Sequence, residues 1–343
     1  MINIRFDALA SYIHDVLVKL GMSEENTRIM TDIYISTTKR GVGHHDIYNF
    51  PSRLERFKEN VLNINPSFEK LSGFGGIERW DGDNGPGELI NHFSMQRAID
   101  LACEHGIGMC TMRNSNHYLC SAPFVEQAAR QGCIGFIIAK GIPTMGMPGI
   151  HGKLIGQSPI GFAFPVGNTD PVMLDICLAY VSGEQLMHMA MNDIPVPSWW
   201  GVNEKGEPTT DAKELMRGTK HPIGEHKGFG LAILCELLTG VLSGGLILDD
   251  KETEPGIPAK STSHTAFAIK VDALMPMAEY EARSQELVDR IRARADEIHI
   301  PGDASWEKIR AFEACGGIAL KEELVEKLNL FASDLGVEFL KSD

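Results

Sequence analysis

The chain has few of the features that most readily assign a function. Its seven cysteines are odd in number and scattered, with no CxxC pair. That argues against a disulfide frame or a zinc ribbon and fits reduced thiols in a cytoplasmic enzyme. Lys and Arg total 32 against 46 Asp and Glu, a formal charge of −14. Such an acidic surface disfavours nucleic acid and anionic membranes as partners, while leaving room for a local basic pocket around an anionic small molecule. No apolar run reaches the roughly 18 residues that a membrane span needs. The longest candidate, Gly228 to Leu248, contains Glu236 and five glycines, and reads as a buried helix with its exit turn. The first twenty residues carry acidic side chains at helical periodicity instead of a basic end followed by an apolar run, so no signal peptide is expected.

Two nucleotide and metal signatures are also missing. No GxGxxG follows a strand and opens a helix: Gly73-Phe-Gly has Glu78 where the third glycine should fall, and Gly228-Phe-Gly has Ile233. There is no HExxH. The turn DGDNGPGE resembles a calcium loop, but its twelfth position is His92 instead of a bidentate glutamate, so it reads as a tight turn.

What is present is an α/β pattern in 343 residues, enough for about two domains. Phe6–Leu20 places Leu9, Ile13, Val16 and Leu17 on one helical face. Ser23 caps a second helix to about Lys39, and a third runs from Pro51 to Val61, with proline where its missing N–H costs nothing. From Leu71 the texture changes. Strands are expected at 76–81, 108–112, 134–139, 161–166, 172–177 and 264–271. Helices are expected at 88–104, 122–131, 182–191, after Lys227, at 278–298 and at 322–335. The stretch 194–210 reads as a Pro/Gly-rich loop.

Three segments carry chemistry, each with a plainer alternative. RGVGHHDIYN joins the second and third helices. Adjacent histidines point in different directions unless the backbone bends, which weakens a metal site. A solvated polar loop and a proton-transfer site remain, and histidine's pKa suits the second. RNSNHY follows an expected strand, where ligand chemistry gathers in α/β domains, but it also serves as a turn into the next helix. GEHKGFG opens a long helix, and its lysine, glycines and free helix N–H groups would suit phosphate, although a structural helix start reads equally simply.

Taken in order, these motifs change the reading. With TTKRGVGHHDIYNFPSRLERF, GIERWDGDNGPG, HGIGMCTMRNSNHY, GFIIAKGIPTMGMPG, IGQSPIGFAFPV, MLDIC, PIGEHKGFGLAILCELLTGVLSGG and IHIPGD, the chain resembles the malate/L-lactate dehydrogenase family of the non-Rossmann type. Within it, the chain is most similar to the 2,3-diketo-L-gulonate reductase branch. The resemblance spans roughly Phe6 to Gly336. It implies an α/β fold of the L-sulfolactate/malate dehydrogenase type, with a mixed sheet layered by helices. An N-terminal helical region, 1–70, would pack with C-terminal helices in 275–343, and 71–274 would form the cofactor- and substrate-binding domain. It also implies NAD, with NADP as the alternative, bound without a GxGxxG loop. It further implies a homodimer, a cytoplasmic location and no metal.

The resemblance places the family's proton-donating histidine on His45, and the histidine of its R-N-x-N-H run on His117. Relatives differ in which of the two is the acid/base, so both are retained. Cofactor contacts fall on Pro171, Val172, Met173, Leu174, Asp175, Ile176 and Cys177, on His226 and Lys227, and on Gly302, Asp303 and Ala304. Asp175 at a strand end would accept hydrogen bonds from a ribose, which favours NAD. The departures concern the substrate: His44 stands for the family's serine, Asp46 for its glycine, Asn49 for an arginine suited to clamping a carboxylate, and Ala139-Lys140 for Thr-Asn. His44, Asn49 and Lys140 are therefore the expected substrate contacts, with Lys140 taking over part of the anion binding. The implied reaction is hydride transfer between nicotinamide and a small 2-oxo or 2-hydroxy acid. Reduction of a cyclic imine of the Δ1-piperideine-2-carboxylate kind is one alternative, and a cofactor-binding homologue with altered or lost catalysis is another.

Overall fold

The computed structural model describes residues 1–341 apart from 151, 168, 251–260 and 296. Strand β1 (Ile2–Arg5) leads into helices α1 (Phe6–Lys19), α2 (Glu24–Lys39) and α3 (Phe50–Lys58). Next come β2 (Glu69–Phe74), β3 (Ile77–Asp81), α4 (Gly87–His105), β4 (Ile107–Ser115), α5 (Ala122–Arg130) and β5 (Cys133–Ala139). The middle of the chain holds β6 (Pro143–Met145), β7 (Ile155–Gly156), β8 (Ile160–Phe164), β9 (Val172–Ile176) and α6 (Gly183–Met191). After β10 (Gly201–Val202), α7 (Ala212–Arg217) and β11 (Thr219–Lys220), helix α8 (His226–Glu236) continues through a π-helical turn at Leu237–Val241. Strand β12 (Thr262–Lys270), α9 (Met277–Arg292), α10 (Asp303–Cys315), β13 (Gly317–Leu320) and α11 (Glu322–Leu335) complete the order.

The main sheet has seven strands in the order β2-β3-β4-β12-β5-β8-β9. Only β3 and β4 pair in parallel; every other neighbour in it is antiparallel. This mixed sheet differs from the all-parallel sheet that a doubly wound dinucleotide fold uses. Late strand β12 lies between β4 and β5, so one residue run near the C-terminal third lines the middle of the sheet. A small sheet, β10-β11-β6-β7, sits beside it, and β1 pairs with β13.

The helices form for the reasons their sequences state. In α1 the residues Leu9, Ile13, Val16 and Leu17 recur at helical spacing and are fully buried. Ser23 Oγ accepts from Asn26 N–H at 3.3 Å, satisfying an otherwise unpaired donor at the start of α2. Burying a side chain such as Leu9 or Ile13 contributes about 1.5–3 kcal/mol. One continuous core joins α1–α5, the centre of the sheet and α11. The buried Tyr12 hydroxyl donates to Leu328 O, and β1 pairs with β13, so the two ends of the chain close on each other. Among the described residues no helix is long and apolar enough to cross a membrane.

Three expectations need correction. The helix opening at Gly228 is not buried all round: Ala232 and Cys235 face inward, while Leu231, Leu234, Leu237 and Val241 are exposed, Val241 by 52%. They recur at helical spacing and form a second apolar face that no described residue covers. The segment 278–298 ends as a helix at Arg292, and Asp296 lies outside the described residues. Helix α10 begins inside the IHIPGD segment, where the sequence reading placed only a cofactor contact.

Candidate active site

The histidine loop is two short 3₁₀ turns, Gly43–His45 and Ile47–Asn49, hinged at Asp46. Asp46 is a buried staple: its carboxylate accepts Gly43 N–H at 2.7 Å and Tyr48 N–H at 3.0 Å. Burial pushes its pKa up to about 7 against those hydrogen bonds. The bend turns both imidazoles the same way. The ring centroids of His44 and His45 lie 3.7 Å apart, and those of His45 and His117 lie 4.9 Å apart. Residues 72 positions apart in the chain thus meet, their ring planes tilted by 49°, at one cavity of about 170 Å³, lined by His44, His45, Asn49, Ser52, Arg53, Arg56 and His117. Every lining side chain is polar. Among the described residues no group of three or more His, Cys, Asp or Glu is arranged to hold a metal ion.

His117 sits in the loop that leaves β4. The Leu119 N–H donates to His117 Nδ1 at 3.3 Å, so Nδ1 is the acceptor and the neutral ring carries its proton on Nε2. One face of His117 remains accessible in the cavity, while its neighbours Asn116 and Tyr118 are buried. Loss of bulk solvent, with His45 and Arg53 beside it, holds its pKa well below the ordinary histidine value. His45 is pulled down to about 3, by burial first and by the neighbouring His44 second. Both rings are therefore neutral near pH 7. A buried third histidine, His264 on β12, supports the loop: its Nε2 lies 3.1 Å from Asn116 O.

Two arginines of α3 complete the cavity, and the sequence reading passed over both. Arg53 is sealed: it donates to Glu88 Oε1 through Nε and Nη2, and to His117 O at 2.6 Å. It holds the histidine-bearing loop in place. Arg56 is half-buried, donates once to Asn116 Oδ1 at 2.9 Å, and lines the cavity with guanidinium capacity to spare. The helical spacing of Arg53 and Arg56, three residues apart after the histidines, was the available signal.

Lys140, the expected replacement cation, is placed differently. It is 4% exposed, its Nζ donates to Leu248 O at 2.9 Å, and it is not among the residues lining the histidine cavity. The lysine is held by the Leu248 carbonyl, so among the described residues lining the cavity the cation with donors to spare is Arg56.

Two of the expected cofactor segments lie at opposite ends of the third, strand β9. Met173 N donates to Pro301 O at 2.9 Å, and Trp306 Nε1 donates to Pro171 O at 3.0 Å, so Gly302, Asp303 and Ala304 lie against β9. Gly302 has φ +106°, and a Cβ there would stand 3.2 Å from Met173 N; only glycine suits so close a turn. At the far end of β9, Ile223 N donates to Leu178 O at 2.8 Å, which ties in the GEHKG turn. His226 and Lys227 are exposed in the first turn of α8, but the N–H groups of Lys227, Gly228 and Phe229 already donate to Gly224 O, Ile223 O and Glu225 O, so the lysine side chain, more than free helix N–H groups, is what this turn offers a phosphate. Asp175 is exposed on β9, but its Oδ2 accepts Ser121 N–H at 2.7 Å at the start of α5. It caps a helix four residues from His117 and is only partly free for a ribose. Arg40, also missed, bridges the two halves: its guanidinium donates to Ser305 Oγ, pairs with Glu126 and stacks 4.9 Å over Trp306.

This fold and this site define a non-Rossmann oxidoreductase architecture, and comparison with known proteins agrees. The malate/L-lactate dehydrogenase family profile matches residues 4–329, and the chain belongs to that family. It is 27% identical to a malate dehydrogenase of Pyrococcus abyssi over 99% of this chain and 97% of the relative. It is 28% identical to a 2,3-diketo-L-gulonate reductase of Klebsiella pneumoniae, over 90% and 99%. The solved sulfolactate dehydrogenase of Methanocaldococcus jannaschii superposes with a TM-score of 0.90 at 27% identity, covering 98% of each chain. The chain is thus a dehydrogenase or reductase of hydroxy or oxo acids.

Proposed function

We propose that the chain transfers a hydride reversibly between a nicotinamide dinucleotide and a small 2-oxo or 2-hydroxy acid, with His45 as the acid/base. The observation that carries this reading is the neighbouring rings of His45 and His117 beside the unspent guanidinium of Arg56. Segments 171–177, 226–227 and 302–304 fit a dinucleotide. They lie along β9, with a glycine-only approach and a lysine at a helix N-terminus for phosphate. A bound nicotinamide supplies or accepts the hydride.

The chain's residues do the rest. Arg56, with Asn49 and Ser52, holds the carboxylate. His117, with its proton on Nε2, donates a hydrogen bond to the substrate oxygen. Neutral His45 takes the hydroxyl proton during oxidation. During reduction it must first gain a proton, which an anionic substrate in the cavity favours by opposite charge. NAD is the proposed coenzyme, with NADP as the alternative. The exposed leucines of α8 are the proposed seam of a homodimer, and a cytoplasmic location follows from the same reading. Residues 1–70 with 275–343 would frame the acid/base loop, and 71–274 would carry the coenzyme seam. An all-polar cavity favours an oxo acid with polar substituents over a cyclic imine acid, whose aliphatic ring has nothing apolar to pack on.

The test is titration of NADH and NADPH followed by tryptophan fluorescence, then turnover on 2-oxo acids and cyclic imines. Saturable micromolar binding of one coenzyme, with turnover of an oxo acid, is the expected result. Absence of binding to either would refute the reading.

A further inference from the structure

The first histidine of the loop has so far only lined the cavity, yet it is the most constrained ring of the three. His44 Nδ1 lies 2.5 Å from Glu184 Oε2, and the His44 backbone N–H donates to Glu184 Oε1 at 3.1 Å. Glu184 stands in the first turn of α6, just beyond the coenzyme strand β9. Gly43 makes the approach possible: its φ is +74°, and a Cβ there would lie 2.6 Å from Glu184 Oε1. A carboxylate at Nδ1 requires that nitrogen to carry a proton, which leaves Nε2 as the exchanging position. The same carboxylate balances the ring's charge when both nitrogens are protonated.

Position completes the argument. His44 and Glu184 keep side-chain exposures of 39% and 41%, so both meet bulk water. The His44 ring packs on His45, and both line the cavity that His117 closes. Outside the cavity lining, which carries Arg53 and Arg56, the charged groups beside the pair include Asp46, stapled to the loop, and Lys308, whose Nζ donates to Gly41 O. Neither reaches the cavity lining.

We propose that His44, held and charge-balanced by Glu184, delivers protons from bulk water to His45. This rests on His45 being the acid/base of the proposed reaction. Reduction consumes one proton per turnover: the substrate carbon gains a hydride and its oxygen takes the proton of His45. His44 then passes its Nε2 proton through solvent in the shared cavity to the His45 ring, and bulk water recharges His44. Oxidation runs the same transfers in reverse. Neutral His45 holds no proton in reserve, which is why a supply beside it matters. His44 acts through His45, so it is a positioning residue and not a catalytic one.

The experiment is steady-state oxo-acid reduction in weak buffer, with imidazole added stepwise, for wild type, His44→Ala and Glu184→Gln. Wild type should ignore imidazole. His44→Ala should lose about tenfold in kcat, less than the hundredfold or more expected for the acid/base itself because His45 remains, with KM unchanged and saturable recovery by imidazole. Glu184→Gln should lose less and recover in the same way; it preserves shape at a half-exposed position, so it serves if His44→Ala does not fold. A raised KM with kcat intact would make His44 a substrate contact and overturn the relay. A kcat loss that imidazole does not restore would leave His44 a merely structural role and also overturn it. Wild type inactive on every oxo acid would defeat the underlying reading, and the relay with it, whereas the first two failures leave that reading standing.

Discussion

Two carboxylates flank the histidine cavity, one paired with a guanidinium and one with an imidazole, and the two pairs have opposite characters. Arg53 and Glu88 are 2% and 0% exposed and 2.9 Å apart. His44 and Glu184 are open by about two fifths each. The sealed pair exchanges nothing with water; it also takes the Tyr34 hydroxyl, and through Arg53 it fixes the carbonyl of His117. The open pair contributes little to folding and stays in contact with the proton reservoir. Burial, more than residue type, decides whether such a pair is scaffold or machinery.

Breaking the sealed pair should have the largest effect. Glu88→Ala leaves the Arg53 charge buried without its partner, and a loss of about 3–5 kcal/mol in urea unfolding is expected. A loss under 1 kcal/mol would show that water reaches Arg53. His45→Ala should leave the fold intact and cut kcat about a hundredfold or more. Near-normal turnover would move the acid/base role to His117. Arg56→Ala should raise KM for the oxo acid by about ten- to a hundredfold, the loss of one charged hydrogen-bonding partner, with a smaller change in kcat. An unchanged KM would leave the anion-binding role to the other polar lining residues, Asn49 and Ser52. Glu184→Gln should shift stability by under about 1 kcal/mol, as exposed pairs do, which sharpens the contrast with Glu88.

In wild type the net pH effect is the smallest, because two neighbours work against each other. His45 has its folded-state pKa lowered from 6.5 to about 3, so below pH 6.5 the unfolded chain takes up a proton that the folded chain does not. Stability therefore falls as pH drops through that window. Asp46 has its pKa raised from 3.8 to about 7, so the folded chain keeps a proton that the unfolded chain releases. Stability there falls as pH rises from about 4 to 7. The two slopes oppose each other in wild type. His45→Asn should unmask a stability that declines with rising pH, and Asp46→Asn one that climbs. Matching slopes in the two variants would contradict the assigned shifts.

Much of this was legible along the chain because the signals are local. Ser23 before two glutamates, Pro51 at a helix start and the spacing of Leu9, Ile13, Val16 and Leu17 each depend on residues within a few positions. The short strands β1, β10, β11 and β13 were not legible, since two to four residues carry no alternation to read. Nor was α8's second apolar face, because an apolar run does not say which of its sides the same chain covers.

The sequence by itself determined the mixed α/β texture, the absence of a glycine-rich dinucleotide loop, and the histidines, lysine and glycines that a non-Rossmann dehydrogenase needs. Tertiary structure alone decided what each polar residue does. It made Asp46 a staple, turned Asp175 onto a helix end, gave Lys140 to a carbonyl, and set Arg56 in the cavity. It also placed Glu184 against a histidine 140 positions away. The reason is physical: periodicity and capping act over neighbouring residues, whereas a polar side chain's role depends on its solvent exposure and its partners, and both are set by segments far away in the chain.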